Sequence, residues 1–445
     1  MIRQRRRSAF TALAGALALA LAACGSGGSD TDAREQVSAQ DVQAALDAGG
    51  TIKVWAWEPT LKEVVAGFRQ KYPKVNVELV NAGTGDKQYT ALQNAIAAGS
   101  GVPDVAQVEY YALPQFALAE SVADLRSFDA GSFDGRFTPG PWTSVHAGEG
   151  IYGLPMDSGP MALFYNKEVF DKHNIAVPTT WDEYVAAARA LHAADPKVYI
   201  TSDTGDAGFT TSMIWQAGGK PYEVDGTNVT IDFSDEGSRR FSTLWQQLVT
   251  EKLVAPVTGW SDQWYQGLGD GSIATLVIGA WMPANLQSGV AAGAGKWRVA
   301  PMPQWEKGGK AVAENGGSAL SIPTAGSNKA LAYAFVKYAT AEEGVKTRVD
   351  GGAFPATTAE LNSPEFLGAE FPYFGGQKAN EVFAQAAKDV VPGWSYLPFQ
   401  VYANSIFNDT VGKAYVSGTT LADGLKAWQE SSAKYGREQG FTVGP

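Results

Sequence analysis

Thiol and imidazole chemistry is almost missing from this chain: it has one cysteine, Cys24, and three histidines, His146, His173 and His192, in 445 residues. With a single thiol no disulfide can form within the chain, so packing alone must hold its cores. The histidines stand far apart without the spacings of zinc sites, which argues against a metal centre built on His or Cys. No cofactor is expected. Basic residues are outnumbered, 35 Lys and Arg against 46 Asp and Glu, for a formal charge of −11, so nucleic acid is a poor partner. No apolar run reaches the roughly 20 residues that a membrane-spanning helix needs.

What is present near the start explains the lone thiol. Arg3, Arg5, Arg6 and Arg7 precede residues 9–23, which are nearly all Ala, Leu and Gly. A positive segment followed by a short apolar one is a secretory signal. Leu21-Ala22-Ala23-Cys24 resembles a bacterial lipobox, which implies a signal peptide over residues 1–23 and a diacylglyceryl group on Cys24. Such an anchor holds the protein at the cell membrane, facing outside, whether extracellular or periplasmic. Removing residues 1–23 takes away four arginines and no acids, moving the charge to −15. The Gly- and Ser-rich stretch that follows predicts a flexible tether over 24–49.

From residue 50 the periodicities alternate. "TIKVWAWE" reads as a strand, and Leu61, Val64, Val65, Phe68 and Tyr72 mark one face of a helix stopped by Pro73. "VNVELV", a helix over 86–98 and "PDVAQVE" continue the series, which is the pattern of a parallel sheet with crossover helices. Thr180 and Glu183 form a capping box, Ser327 is placed as a further cap, and "IATLVIGAW" reads as a buried strand. About 395 residues beyond the tether suffice for two domains.

Five landmarks in order, "GVPDVAQV", "IYGLPMDSGPMALFYNKEVFDKHNI", "PTTWDEY", "GSIATLVIGAWM" and "GGSALSIPTAGSNKALAYAFVKYAT", resemble the solute-binding proteins of ABC importers, in the carbohydrate-binding group that includes maltose-binding proteins. The resemblance covers residues 50–440. It implies an α/β fold of two lobes, parallel-type sheets flanked by helices, joined by a hinge that the chain crosses more than once. Crossings are placed near Asp157–Pro160, Val299–Pro303 and Ala341–Gly344. Lobe one is then 50–157 with 301–342, and lobe two 158–300 with 343–445. A monomer would capture a saccharide in the cleft and present it to permease subunits served by a cytoplasmic ATPase.

A sugar site needs acceptors and donors at the ring edge and aromatic rings against its apolar face. Trp57 and Glu58 end the first strand, and Glu109, Tyr110 and Tyr111 end the third, so both groups belong at a cleft rim. Asp157 lies at the first crossing. Trp281 matches a position that contributes an aromatic face in the resembled family, and Gly317 would let backbone amides approach a ligand. Trp260, Phe354 and Trp394, with Trp264 and Tyr396, are loop candidates. Trp181, Trp215, Trp245 and Trp428 are assigned to helix packing. Where maltose-binding proteins carry Trp at a strand end, this chain has Val108, so maltose does not follow.

Enzyme motifs fail their context. "GEGIYG" fits a dinucleotide fingerprint but runs into Leu154-Pro155, where no helix can open. "SSAK" stands without its partner motifs. Glu58, Glu109 and Asp157 keep a lipid-anchored glycoside hydrolase open as an alternative. A receptor for an anionic solute such as a glycerol phosphate is the other, although the arginines fall mostly within predicted helices.

Overall fold

The computed structural model describes residues 36–444. The signal peptide, Cys24 and the first part of the tether lie outside the described residues. The rest of the expected tether is not a tether: Ala39–Ala48 is a helix. Ser38 and Asp41 form a capping box at its start, and Val42 and Leu46, one turn apart, are buried against the first core. Val42, Ala45 and Leu46 carry a helical period that the surrounding Ser and Gly composition masks.

The strands that organise the molecule are β1 (Gly50–Trp55), β2 (Val75–Val80), β3 (Val105–Glu109), β4 (Leu154–Pro155), β5 (Met161–Asn166), β6 (Thr275–Gly279), β7 (Trp297–Pro301) and β8 (Ser318–Ser321). The first sheet has the order β2-β1-β3-β8-β4. Its β1, β2 and β3 are parallel, joined by the helices Leu61–Lys71 and Asp86–Ala98, while β8 runs antiparallel to β3 and β4. Ile52, Val54, Phe68, Leu92, Val105, Leu320 and Phe335 fill its core.

In the second sheet β5 lies between β6 and β7, antiparallel to both. This sheet is therefore not of the parallel type. Two cores flank it, one around Leu163, Trp181, Trp245 and Trp428, the other around Phe164, Phe374 and Phe383. The capping box opens helix Trp181–Ala194, with Glu183 N donating to Thr180 Oγ1 at 3.2 Å. Helix Lys329–Ala341 starts behind Asn328 rather than at a Ser327 cap. Asp104 Oδ1 holds that start, accepting from the backbone N of Ser327 and of Asn328 at 3.0 Å each.

The crossings differ from two of the three expected. Val299 and Ala300 pair with Phe164 and Leu163 inside the second sheet, and the chain changes sheets at 314–317 instead. Ala341–Gly344 is no crossing either. Helix Glu343–Asp350 still packs on Leu61–Lys71, and contact with the other side builds toward its end, where Val349 packs against the core around Phe164 and Gly352 then meets Ala284 and Gln287. Met156–Met161 and Ala313–Ser318 run side by side between the sheets: Met156 N donates to Ser318 O (2.8 Å), Asn315 N to Gly159 O (2.8 Å) and Met161 N to Ala313 O (2.9 Å).

Candidate functional site: an acidic and aromatic cleft

On the side of the first sheet, the end of β3 carries an interlocked set of groups. Tyr89 Oη donates to Glu109 Oε2 at 2.9 Å and receives Glu109 N at 2.9 Å. Tyr111 Oη lies 3.3 Å from Asp86 Oδ1, at the first turn of Asp86–Ala98. Burial pushes the Glu109 carboxyl up to about 7, outweighing the bonds from Tyr89 and Tyr111. Asp86 is raised too, by burial and by the nearby Asp206 charge. Trp57 sets its ring edge-on to Tyr89, centroids 6.2 Å apart. Gln107 fixes the turn after β1, its Oε1 accepting from the backbone N of Trp57 and of Glu58 at 3.1 Å each.

Glu58 points to the base of the cleft, where its Oε2 lies 3.8 Å from Arg348 Nε and Thr60 donates its hydroxyl at 2.6 Å. Asp157 Oδ1 accepts from Ser318 N at 2.6 Å, and burial pushes this carboxyl up to about 7 as well. The Tyr110 ring is buried, and its hydroxyl donates to Asp157 O at 2.6 Å. Gly317 presses on that ring. With φ +96° a Cβ here would stand 2.7 Å from Tyr110 Cε2, so only glycine fits.

The opposite side supplies aromatic faces. Trp281 Nε1 donates to Asn315 O at 2.7 Å, and its ring stacks on Trp260 at 5.8 Å and 25°. Trp260 is 42% exposed and holds φ +65°, unusual for so large a residue. Trp264 beneath them is buried. Trp394 stacks flat on Trp215 at 5.1 Å, and Tyr396 reaches the opposite side, its ring 6.4 Å from that of Tyr111. Asp206 caps helix Ala207–Gln216, and its carboxyl is raised by burial.

Phe354 is displaced from the expected set. It is 1% exposed and packs edge-on to Phe366 and Phe383, so it belongs to a core. The helix-packing assignments of Trp181, Trp215, Trp245 and Trp428 agree with their burial. Four groups escaped the sequence reading: Asp86, Asp206, Glu314 and Arg348. The first two open helices at strand ends, the same signal that singled out Glu58. Nothing local marks Arg348, which is 1% exposed.

Among the described residues no group of three or more His, Cys, Asp or Glu is placed to hold a metal ion, and no helix is long and apolar enough to cross a membrane. Carboxylates that accept, hydroxyls that donate and two stacked indoles are suited to a neutral polyhydroxyl ligand.

Two α/β lobes with such a site between their strand ends define a solute-binding protein. Residues 55–346 match the family described as bacterial extracellular solute-binding protein, and the chain belongs to it. This is a family of transport receptors, not of enzymes, which removes the hydrolase alternative. The chain is 47% identical to the ABC transporter-associated binding protein of Bifidobacterium animalis subsp. lactis Bl-04, solved in complex with β-1,6-galactobiose. That match covers 89% of this chain and 99% of that one, with a TM-score of 0.86. The galacto-N-biose-/lacto-N-biose I-binding protein of Bifidobacterium longum, solved with lacto-N-biose, is 26% identical over 89% of this chain and 99% of its own, with a TM-score of 0.76. An arabinooligosaccharide-binding protein of Halalkalibacterium halodurans is 25% identical over 83% of this chain and 85% of its own length.

Proposed function

We propose that this chain is the lipid-anchored, monomeric sugar receptor of an ABC importer, and that its ligand is a short β-galactoside of the β-1,6-galactobiose kind. The observation that carries the ligand class is the 47% identity and 0.86 TM-score to the galactobiose-bound receptor. A lactose-binding protein of Rhizobium radiobacter, 23% identical over 86% of this chain and 92% of its own length, adds a second galactosyl disaccharide. The residue chemistry supports the same reading. Glu109, Asp86 and Asp206 would accept sugar hydroxyls from the two sides, Trp281 and Trp260 would face the apolar side of a ring, and Asp157 and Glu58 would close the base. The ligand touches both sides only when the lobes are together, so binding shifts the population toward closure, and the permease can tell loaded from empty receptor. Lipid on Cys24 would keep the receptor at the membrane, extracellular or periplasmic.

Thermal unfolding against β-1,6-galactobiose, lactose, maltose, arabino-oligosaccharides and glycerol phosphates tests this. A ligand present at a hundred times its Kd adds about 2.7 kcal/mol of stability. The expected result is a raised midpoint with galactobiose, recovered unchanged. Stabilisation by anions alone would overturn it.

A further inference from the structure

The two segments that pass between the sheets brace each other reciprocally. Asp157, on the first segment, accepts Ser318 N of the second at 2.6 Å, and Glu314, on the second, accepts Ser158 Oγ of the first at 2.8 Å. Between these bonds Gly316 and Gly317 hold φ +72° and +96°, a kink in one segment opposite Ser158 of the other. Positive-φ glycines flanked by such bonds are where a rigid-body rotation can be absorbed. The pivot is also crowded: Trp281 abuts Gly316 and Tyr110 abuts Gly317.

Both carboxyls are enclosed by groups from several elements. Asp157 faces Arg348, Glu58, Glu109, Glu314 and Tyr110. Arg348 donates Nη1 to Met156 O and holds Nε 3.8 Å from Glu58 Oε2, while Nε and Nη2 are buried without hydrogen-bond partners, so this cation is only partly engaged. Glu314 faces Ser158, Tyr110 and Tyr396, and a Cβ on Gly140, in helix Pro139–Ser144 of the first side, would stand 3.6 Å from its Oε1. Burial raises the Glu314 carboxyl, and the bond from Ser158 opposes it. Both acids are thus shut between the lobes, where burial outweighs Arg348 and the Ser318 bond at Asp157 and the Ser158 bond at Glu314.

We infer that Asp157 and Glu314 make lobe closure proton-linked: closing excludes water from both carboxyls and favours their neutral forms, so the receptor closes, and captures its sugar, more readily in acid. Opening rehydrates the pair and releases the protons. Burial pushes each carboxyl up to about 7 in the arrangement described here, so each that titrates on closure weakens sugar binding about tenfold between pH 6 and pH 8.

The second of two measurements rests on the sugar-receptor reading; the first does not. Small-angle scattering of the ligand-free full chain from pH 5.5 to 8.5 should show the radius of gyration rising with pH, and a D157N/E314Q variant, which keeps both acceptor oxygens, should stay compact throughout. Single E314Q, the milder change, should halve the response if the double variant does not fold. A flat profile for the unaltered chain, or an unchanged slope in E314Q, overturns the inference. Calorimetry with β-1,6-galactobiose at pH 7, in buffers of different ionisation enthalpy, should show proton uptake that the variants lose, and sugar-linked heat without uptake also overturns it. No galactobiose heat alongside a pH-dependent radius would overturn the ligand assignment and leave the pivot intact.

Discussion

Replacing Gly317 by alanine tests the pivot with one methyl group. Two costs add. At φ +96° an L-residue sits outside its allowed regions, worth about 1–3 kcal/mol. The new Cβ would also meet Tyr110 Cε2 at 2.7 Å and Cδ2 at 2.9 Å. That ring cannot retreat freely, because Tyr110 N donates to Gly317 O at 3.0 Å and its hydroxyl donates to Asp157 O at 2.6 Å. Losing the buried hydroxyl bond would add about 1 kcal/mol. The sum is about 2–4 kcal/mol, read from urea unfolding followed by the fluorescence of the thirteen tryptophans. Gly418→Ala supplies the control, since Gly418 also has positive φ, +75°, but nothing within 4 Å of a Cβ, so only backbone strain applies. If Gly317→Ala costs no more than Gly418→Ala, the close contact between Tyr110 and the pivot plays no part in stability and the argument fails.

Glu109→Gln keeps the acceptor facing Tyr89 but removes the charge, and should weaken galactobiose binding about 10- to 100-fold by calorimetry without lowering the unfolding midpoint. Phe354→Ala should do the reverse, costing about 3–5 kcal/mol in urea unfolding while leaving sugar affinity within about twofold, because this ring fills a core. Stability should also fall as pH rises. Glu109, Asp157 and Glu314 sit near 7 and Asp203 near 6 in the fold, above their unfolded values. The unfolded chain therefore loses these protons first, and the penalty for ionising them in the fold is absent below about pH 4 and complete above about pH 7. Urea unfolding at pH 5.5 and pH 8 should differ by about 2 kcal/mol or more in favour of acid, and equal stability would count against these assignments.

The first lobe was open to sequence reasoning because each of its elements carries its own period. β1, β2 and β3 alternate with amphipathic helices whose buried residues, Leu61, Val64, Val65 and Phe68 among them, are the ones that the pattern selects. The strand-end rule also singled out Glu58 and Glu109 as candidates. What stayed hidden depends on pairing across long distances. Nothing local in Trp297–Pro301 or Ser318–Ser321 assigns either segment to a sheet, and only their partners, Phe164 in one sheet and Val108 in the other, show that the chain crosses after the first and before the second. Strand direction in the second sheet is likewise absent from a run such as "IATLVIGAW". Phe354 and Trp260 look equally plausible in loops, yet one packs against Phe366 and Phe383 and the other stands at the surface. Arg348 lies in an ordinary helical stretch, and its meaning comes from Met156 and Glu58, far away in sequence.

The charge balance of the cleft bears on what the receptor refuses. Asp86, Glu109, Asp157, Asp206 and Glu314 all have carboxyls raised by burial, and Arg348, the cation at the base, is itself buried against Met156 and Glu58. A neutral disaccharide would bring hydroxyl donors to Asp86, Glu109 and Asp206 at the cleft rim, apart from the pivot pair Asp157 and Glu314, and each bond would offset part of the desolvation that raised them. A sugar carrying a carboxylate or phosphate instead adds a like charge where ionisation is already resisted, and like charges held together across an interface cost several kcal/mol. Oxidising the primary alcohol of the terminal galactose in β-1,6-galactobiose to a uronic acid changes the ligand by little except that charge. At pH 7.5 the acid should bind at least about a hundredfold more weakly than the parent sugar in competition calorimetry, and part of the loss should return at pH 5.5 as the site takes up protons. Equal affinities at pH 7.5 would mean that a cation, not this set of acids, meets the terminal ring.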